Sequence, residues 1–136
     1  MQKYEDKHIR FSYPDELLLD ESVPGSRYVL IDQNGGAASI TMMDDISAEV
    51  NVMQMKNTPA PLHGELIHSG YKHFGGNGVL WVEIKSDPDE DGSRWHEVQA
   101  IVQVSSQAIH VKVTCLQGDS SSICEGLVKS LLTEGT

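Results

Sequence analysis

The sequence predicts an α+β domain in which an antiparallel β-sheet packs against helices, one of them closing the C-terminus. Three observations carry this. Residues 94–104 and 108–116 alternate apolar and polar with period two, as half-buried strands do. Gly75-Gly76-Asn77-Gly78 joins two further alternating stretches, 65–74 and 78–86, into a hairpin. Near the end, Ile123, Leu127 and Leu131 change to helical spacing, in a stripe widened by Val128 and Leu132.

The earlier elements follow in order. Residues 8–14 read as a short strand closed by Pro14, which cannot donate to a ladder. Residues 16–19 and 27–31 are further short strands separated by a Pro24-Gly25 turn. Gln33-Asn34-Gly35-Gly36 is a second turn, leading into a strand over 37–43. The stretch 45–56 carries two patterns. Ile46, Val50 and Met53 lie at helical spacing behind an Asp45 cap, while Val50 and Val52 also alternate. A short helix is the reading preferred, and Thr58-Pro59-Ala60-Pro61 ends it in either case.

In the second half, Val98, Ala100, Val102 and Val104 share one strand face, and Ile109, Val111, Val113 and Cys115 share another. Pairing Val104 with Ile109 across the turn Ser105-Ser106-Gln107 brings both sets to the same side of a sheet. The terminal helix is expected near 120–133, with Ser122 to Glu125 as a capping box.

With 136 residues the chain has the length of one domain, spanning 1–136. A domain of this size buries roughly two thirds of its unfolded surface. Ten basic side chains face twenty acidic ones, for a formal charge of −10. Nucleic-acid binders need a basic stripe to displace counterions, so DNA and RNA are excluded as expected partners. No window approaches the roughly 20 apolar residues of a membrane span, so no membrane insertion is expected. The polar opening stretch is not a secretory leader. The protein is expected to be cytoplasmic if Met1 is the native start, and extracytoplasmic if a leader has been removed.

The order of features resembles a known family. Phe11 to Pro14 give a Phe-x-Tyr-Pro opening, followed by short strands. A Gly-Gly turn then enters a Trp-bearing strand (Gly75 to Trp81), and a meander leads to a final helix containing Lys129-Ser130-Leu131. This is similar to small bacterial members of the PsbP/DcrB-like superfamily. That superfamily includes photosystem II extrinsic proteins, bacterial lipoproteins and a nuclear import factor that binds Ran, and similar bacterial domains serve as adaptors for secreted effectors. The resemblance implies a PsbP-like sandwich, a sheet between helices, and a non-enzymatic binding or accessory role in secretion or at the envelope. It transfers no active-site residue.

Candidate sites are few. Asp87, Asp89 and Asp91, followed by Gly92, resemble the start of a calcium loop. Ser93 would add a backbone carbonyl and Glu97 would reach in. The usual bidentate glutamate falls at Val98 and the flanks are strands, so a solvated acidic hairpin loop is the competing reading. Calcium or a small ligand is thus the alternative function to protein binding, and no other cofactor is implied. His63, His68 and His73 suggest zinc, but a spacing of five places His68 and His73 on opposite faces of a strand. Surface or partly buried histidines are the simpler reading.

Cys115 and Cys124 fall on inward positions. They are either two buried thiols or a disulfide tying helix to sheet, close enough to bridge across Gly118. Gly75 to Gly78 precede a strand and lack a following Lys-Ser/Thr, so they form a turn and not a phosphate loop. No serine stands in Gly-x-Ser-x-Gly, so a catalytic residue has no support. Trp81 and Glu83, with Trp95, Glu97 and Ile101, are expected on the sheet face opposite the valine row. Trp81 and Trp95 are the candidate partner-binding residues if that face is open.

Overall fold

The alternating segments become strands and the two helical ones become helices, in a computed structural model that describes residues 1–21, 27–32, 35–116 and 119–134. Pro24-Gly25, Gln33-Asn34 and Gly118 lie outside the described residues. Strands β1 (Gln2–Glu5) and β2 (Arg10–Tyr13) form an antiparallel pair of their own. A seven-stranded antiparallel sheet contains β3 (Leu17–Asp20), β4 (Arg27–Asp32), β5 (Gly36–Met43), β6 (Gly64–Phe74), β7 (Asn77–Ser86), β8 (Trp95–Val104) and β9 (Gln107–Leu116). Its order is β3-β4-β5-β9-β8-β7-β6. Helices α1 (Asp45–Lys56) and α2 (Ser120–Glu134) lie on opposite faces of it.

This order dictates where α1 runs. β5 sits mid-sheet, while the next strand, β6, is the far edge. The gaps between them, each about 4.8 Å, add to about 19 Å. The 12 residues of α1 rise about 18 Å, so the helix is as long as the crossing it makes. Gln107 Nε2 donates to the Met43 carbonyl at 2.7 Å where the helix begins. The Lys56 ammonium lies 5.6 Å from the Tyr71 ring centroid where it ends.

Asp44, not Asp45, is the cap, its Oδ1 accepting the Ser47 amide at 2.7 Å. The helix carries two apolar stripes, and the way the chain leaves Met43 decides which one is buried. Ala48, Val52 and Met55 face Met43, Leu80, Val82 and Ile101 on the sheet. Ile46, Val50 and Met53, the stripe that suggested the helix, point outward.

The opposite face holds the larger core. Val98, Ala100, Val102 and Val104 of β8 and Ile109, Val111, Val113 and Cys115 of β9 are all buried there with Leu127, Val128 and Leu131 of α2. The pairing is Val104 with Gln107 and Val102 with Ile109, not Val104 with Ile109. The turn needs only Ser105 and Ser106, with Ser105 in the left-handed region at φ 54°. A two-residue displacement preserves the face of every side chain, so both valine rows still point inward. The β6–β7 turn is equally tight: Phe74 pairs with Asn77 across Gly75 (φ 63°) and Gly76.

Helix α2 begins at Ser120, earlier than the capping box implied. The Asp119 carboxylate accepts the Ser122 amide at 3.1 Å and takes the cap position. Glu125, freed from that role, reaches Lys72 of β6. β1 is too polar to stand out in sequence, and it completes the α2 side. The Tyr4 ring packs at a tilt against Phe11 and Tyr28, with centroids 5.4 and 5.3 Å away. Ser12 of β2 donates its amide to Ser130 Oγ at 2.5 Å.

Candidate functional site

The two tryptophans part company. Trp81 pairs directly with Ala100, so it belongs to the valine face, where it is 1% exposed. The connection over 87–94 sets odd-numbered residues of β7 against even-numbered residues of β8. Trp81 and Glu83 therefore lie opposite Trp95, Glu97 and Ile101, contrary to the expectation of a shared face. Trp95 is 53% exposed on the α1 side.

Among the described residues, α1 is the element that covers that side, where it crosses the sheet. One cross-strand row runs Leu18, Ile31, Ala37, Thr114, Glu97 and Ile84 from β3 to β7. Leu18, Ile31, Ala37 and the neighbouring Trp95 are exposed along it. Along β9 on this side, His110, Lys112 and Thr114 line the floors of separate depressions. At one end is an open groove of about 680 Å³ between α1 and the sheet, lined by His8, Thr41, Met43, Asp44, Asn51 and His110. At the other, Pro61, Ile84, Trp95 and Thr114 enclose a smaller apolar depression of about 160 Å³.

The polar groups along these floors pair with one another. Lys112 Nζ lies 3.4 Å from Glu97 Oε1, Gln99 Nε2 donates to Glu97 Oε2 at 3.3 Å, and His110 Nε2 meets Gln99 Oε1 at 2.9 Å. Burial first, then the Lys112 charge, holds the His110 imidazole below its ordinary value. A floor whose charges are already matched can receive a partner's apolar side chains without stranding a lone ion.

Apolar exposure concentrates on this side. Leu18, Ile31, Tyr71 and Trp95 on the sheet, Ile46, Val50 and Met53 on α1, and Leu62 in the connection after α1 are all exposed. Sequence reasoning marked Trp95 but missed the rest, because the outward stripe of α1 looks like a core stripe until the sheet beneath it is known.

The valine face contains the most concentrated buried chemistry. Glu83 Oε2 accepts from His96 Nε2 at 2.9 Å, and Glu83 Oε1 accepts from Trp81 Nε1 at 3.2 Å. His96 Nδ1 accepts the Ser120 amide at 3.2 Å, which leaves Nε2 as the nitrogen that donates to Glu83. Ser120 Oγ returns a bond to the His96 carbonyl at 2.5 Å. Burial raises the Glu83 carboxyl, but the bonds from His96 and Trp81 outweigh it and hold the group below its usual range. The Lys72 ammonium sits 4.4 Å from the Trp81 ring centroid and meets Glu125. These groups tie the start of α2 to the sheet.

The remaining sequence candidates are dispersed. Asp89 Oδ1 accepts the amides of Asp91 and Ser93 at 3.1 and 3.0 Å, and Asp91 Oδ1 accepts the Ser93 amide at 2.9 Å. Hydrogen bonding to Asp89, then to Ser93, brings Asp91 down to about 2. Asp87 is exposed at the loop's start. Glu97 lies on β8, engaged with Lys112. Among the described residues no group of three or more His, Cys, Asp or Glu is placed to hold a metal ion. His63 and His73 are exposed, and His68 is partly buried with its Nε2 unpartnered. Cys115 and Cys124 are free thiols in the core, and burial pushes the Cys124 thiol up. Among the described residues no helix is long and apolar enough to cross a membrane.

No protein-family model matches the sequence, and no curated protein matches it significantly. Solved structures do share the fold. The Saccharomyces cerevisiae Ran-binding protein Mog1p superposes with a TM-score of 0.55 at 7% identity, over 97% of this chain and 86% of that one. A point variant of protein Mog1 gives 0.53 at 8% identity, over 98% and 88%. A Bacteroides thetaiotaomicron crystal structure gives 0.55 at 13% identity; the match covers 90% of this chain but 44% of that one.

Proposed function

We propose that this domain is a non-catalytic binding module that holds another protein against the α1 side of its sheet. The observation that carries the reading is the gathering of exposed apolar side chains there, from Leu18 and Ile31 across to Trp95 and onto α1. Apolar patches rimmed by polar residues mark partner surfaces, and an exposed tryptophan beside a shallow pocket is a typical anchor. The fold gives independent support. Mog1p, built on the same architecture, is a Ran-binding protein, so this scaffold serves protein recognition elsewhere. The resemblance to the PsbP/DcrB-like superfamily supports an accessory role, with secretion or the envelope as its setting.

The test uses the tagged full chain, with co-purified proteins identified by mass spectrometry. Ile31→Asp with Trp95→Asp is expected to abolish a specific co-purified protein that Lys129→Asp, on the exposed side of α2, retains. An unchanged set of bound proteins, or equal loss with Lys129→Asp, would sink the reading.

A further inference from the structure

We infer that the outward stripe of α1 is the docking surface for a cationic amphipathic helix of another protein; this rests on the reading of the α1 side as the binding side and names the partner's chemistry.

The stripe is the first argument. A helix apolar on both faces is normally covered on both. In α1 the inner stripe is satisfied by the sheet, whereas Ile46 is 76% exposed, Val50 48% and Met53 64%. Among the described residues, the helix has the make-up of a middle layer with a neighbour on one side. Positions 46, 50 and 53 follow the i, i+4, i+7 spacing, which lines them up as one ridge along two turns. A ridge of that kind fits the groove between side-chain rows of another helix.

Charge then selects the partner. Asp44, Asp45 and Glu49 are exposed at the start of α1 and in its next turn. Its one basic residue, Lys56, lies over the Tyr71 ring at the far end. The rim of the stripe is therefore acidic, on a chain whose net charge is −10. A second copy would bring like charge against like, and so would an anionic bilayer. A helix with an apolar stripe flanked by Lys or Arg meets both features at once.

The probe is a short synthetic Leu/Lys peptide that is amphipathic as a helix. It is compared with its Leu/Glu counterpart and with a scrambled Leu/Lys sequence. NMR titration of the full chain is expected to show shifts centred on residues 45–54 with the amphipathic cationic peptide alone. Ile46→Ser with Met53→Ser should weaken binding about tenfold or more. Asp45→Asn with Glu49→Gln should weaken it several-fold, as should raising salt from about 50 to about 300 mM. Thermal melts of these exposed variants establish that the fold is kept, and Val50→Ser replaces any that fails.

Absence of shifts in 45–54 overturns the inference, as does equal binding of the scrambled peptide or of the Ile46/Met53 variant. Shifts confined to Leu18, Ile31 and Trp95 overturn it too, while leaving the α1 side as a binding face. Equally, stripe-dependent adsorption to phosphatidylglycerol vesicles, or stripe-dependent dimerisation in sedimentation, would assign the surface to a membrane or to a second copy.

Discussion

The two faces of the sheet draw on similar apolar residues and are finished differently. On the α2 side the valine rows and Trp81 are sealed by α2 and the β1–β2 pair, and Glu83 bonds Trp81 and His96, which in turn accepts the Ser120 amide. On the α1 side one helix crosses the sheet and leaves an apolar row and an apolar helix edge in the open. The difference shows where stability resides. The deeper burial belongs to one face, so the other is free to keep features that folding alone would not select.

The largest expected contrast comes from truncating one side chain on each face. Leu131 is fully buried in α2, and Leu131→Ala should cost about 2–5 kcal/mol through lost transfer energy and a residual cavity. Ile46→Ala, on the open stripe, should stay within about 0.5 kcal/mol of the parent. Urea unfolding with unchanged slope measures both. A loss above about 1.5 kcal/mol for Ile46→Ala would mean that the outer stripe already has a partner within the fold.

Next in size is the network beneath α2. Glu83→Leu leaves the His96 and Trp81 donors unpaired in the core, at about 2–3 kcal/mol. In a double-mutant cycle with His96→Phe the two losses should fall well short of adding, because they share one hydrogen bond. Strict additivity would show the network to be a set of independent contacts.

Much of this fold was legible in sequence, for physical reasons that also explain the errors. Strands 65–74, 78–86, 94–104 and 108–116 and the final helix announce themselves because one buried face enforces the period. Residues 45–56 form a helix as preferred, yet the sequence cannot say which stripe is inward, since both carry apolar residues. The face of Trp81 depended on strand register across the 87–94 connection, which periodicity within a single strand does not contain. β1 is held by tertiary contacts from Tyr4 and Asp6, so nothing local betrays it. Of the candidate binding surface, Trp95 was readable by type alone. Its neighbours Leu18 and Ile31 come from strands that are distant in sequence.

Asp6 tests the sealed side through pH. Its carboxylate accepts the hydroxyls of Tyr28 at 2.7 Å and Tyr4 at 3.0 Å, and the amides of His8 at 2.7 Å and Ile9 at 2.9 Å. Burial by itself raises the carboxyl, but these bonds prevail and hold it down to about 2. Because the folded value lies below the unfolded one, Asp6 stabilises fully above about pH 4, and that contribution is lost as pH falls toward 2. Asp6→Asn should therefore cost about 1.5–2 kcal/mol at neutral pH and flatten the acid limb of stability between about pH 4 and 2. An acid limb identical in the variant would remove Asp6 from the account. Trp95→Ala on the open side should leave that limb as it is.

The smallest expected effect concerns the loop from Asp87 to Ser93, which belongs to neither face. Asp89 and Asp91 already bond the loop's own amides, the arrangement of an acidic turn that closes on itself. The bidentate glutamate of a calcium loop is replaced by Val98, which is buried in the core. If the loop did bind calcium, a Kd of about 10⁻³ M is the range of sites with few ligands. About 10 mM calcium would then add about 1.4 kcal/mol, a rise of roughly 4 °C for a domain of this size. The expected shift is below about 1 °C, the same with magnesium, and unaltered by Asp89→Asn beyond that variant's own loss of about 0.5–1.5 kcal/mol. A rise of several degrees specific to calcium and absent from Asp89→Asn would make the loop a cation site. It would also give the molecule a ligand-ordered element outside both faces.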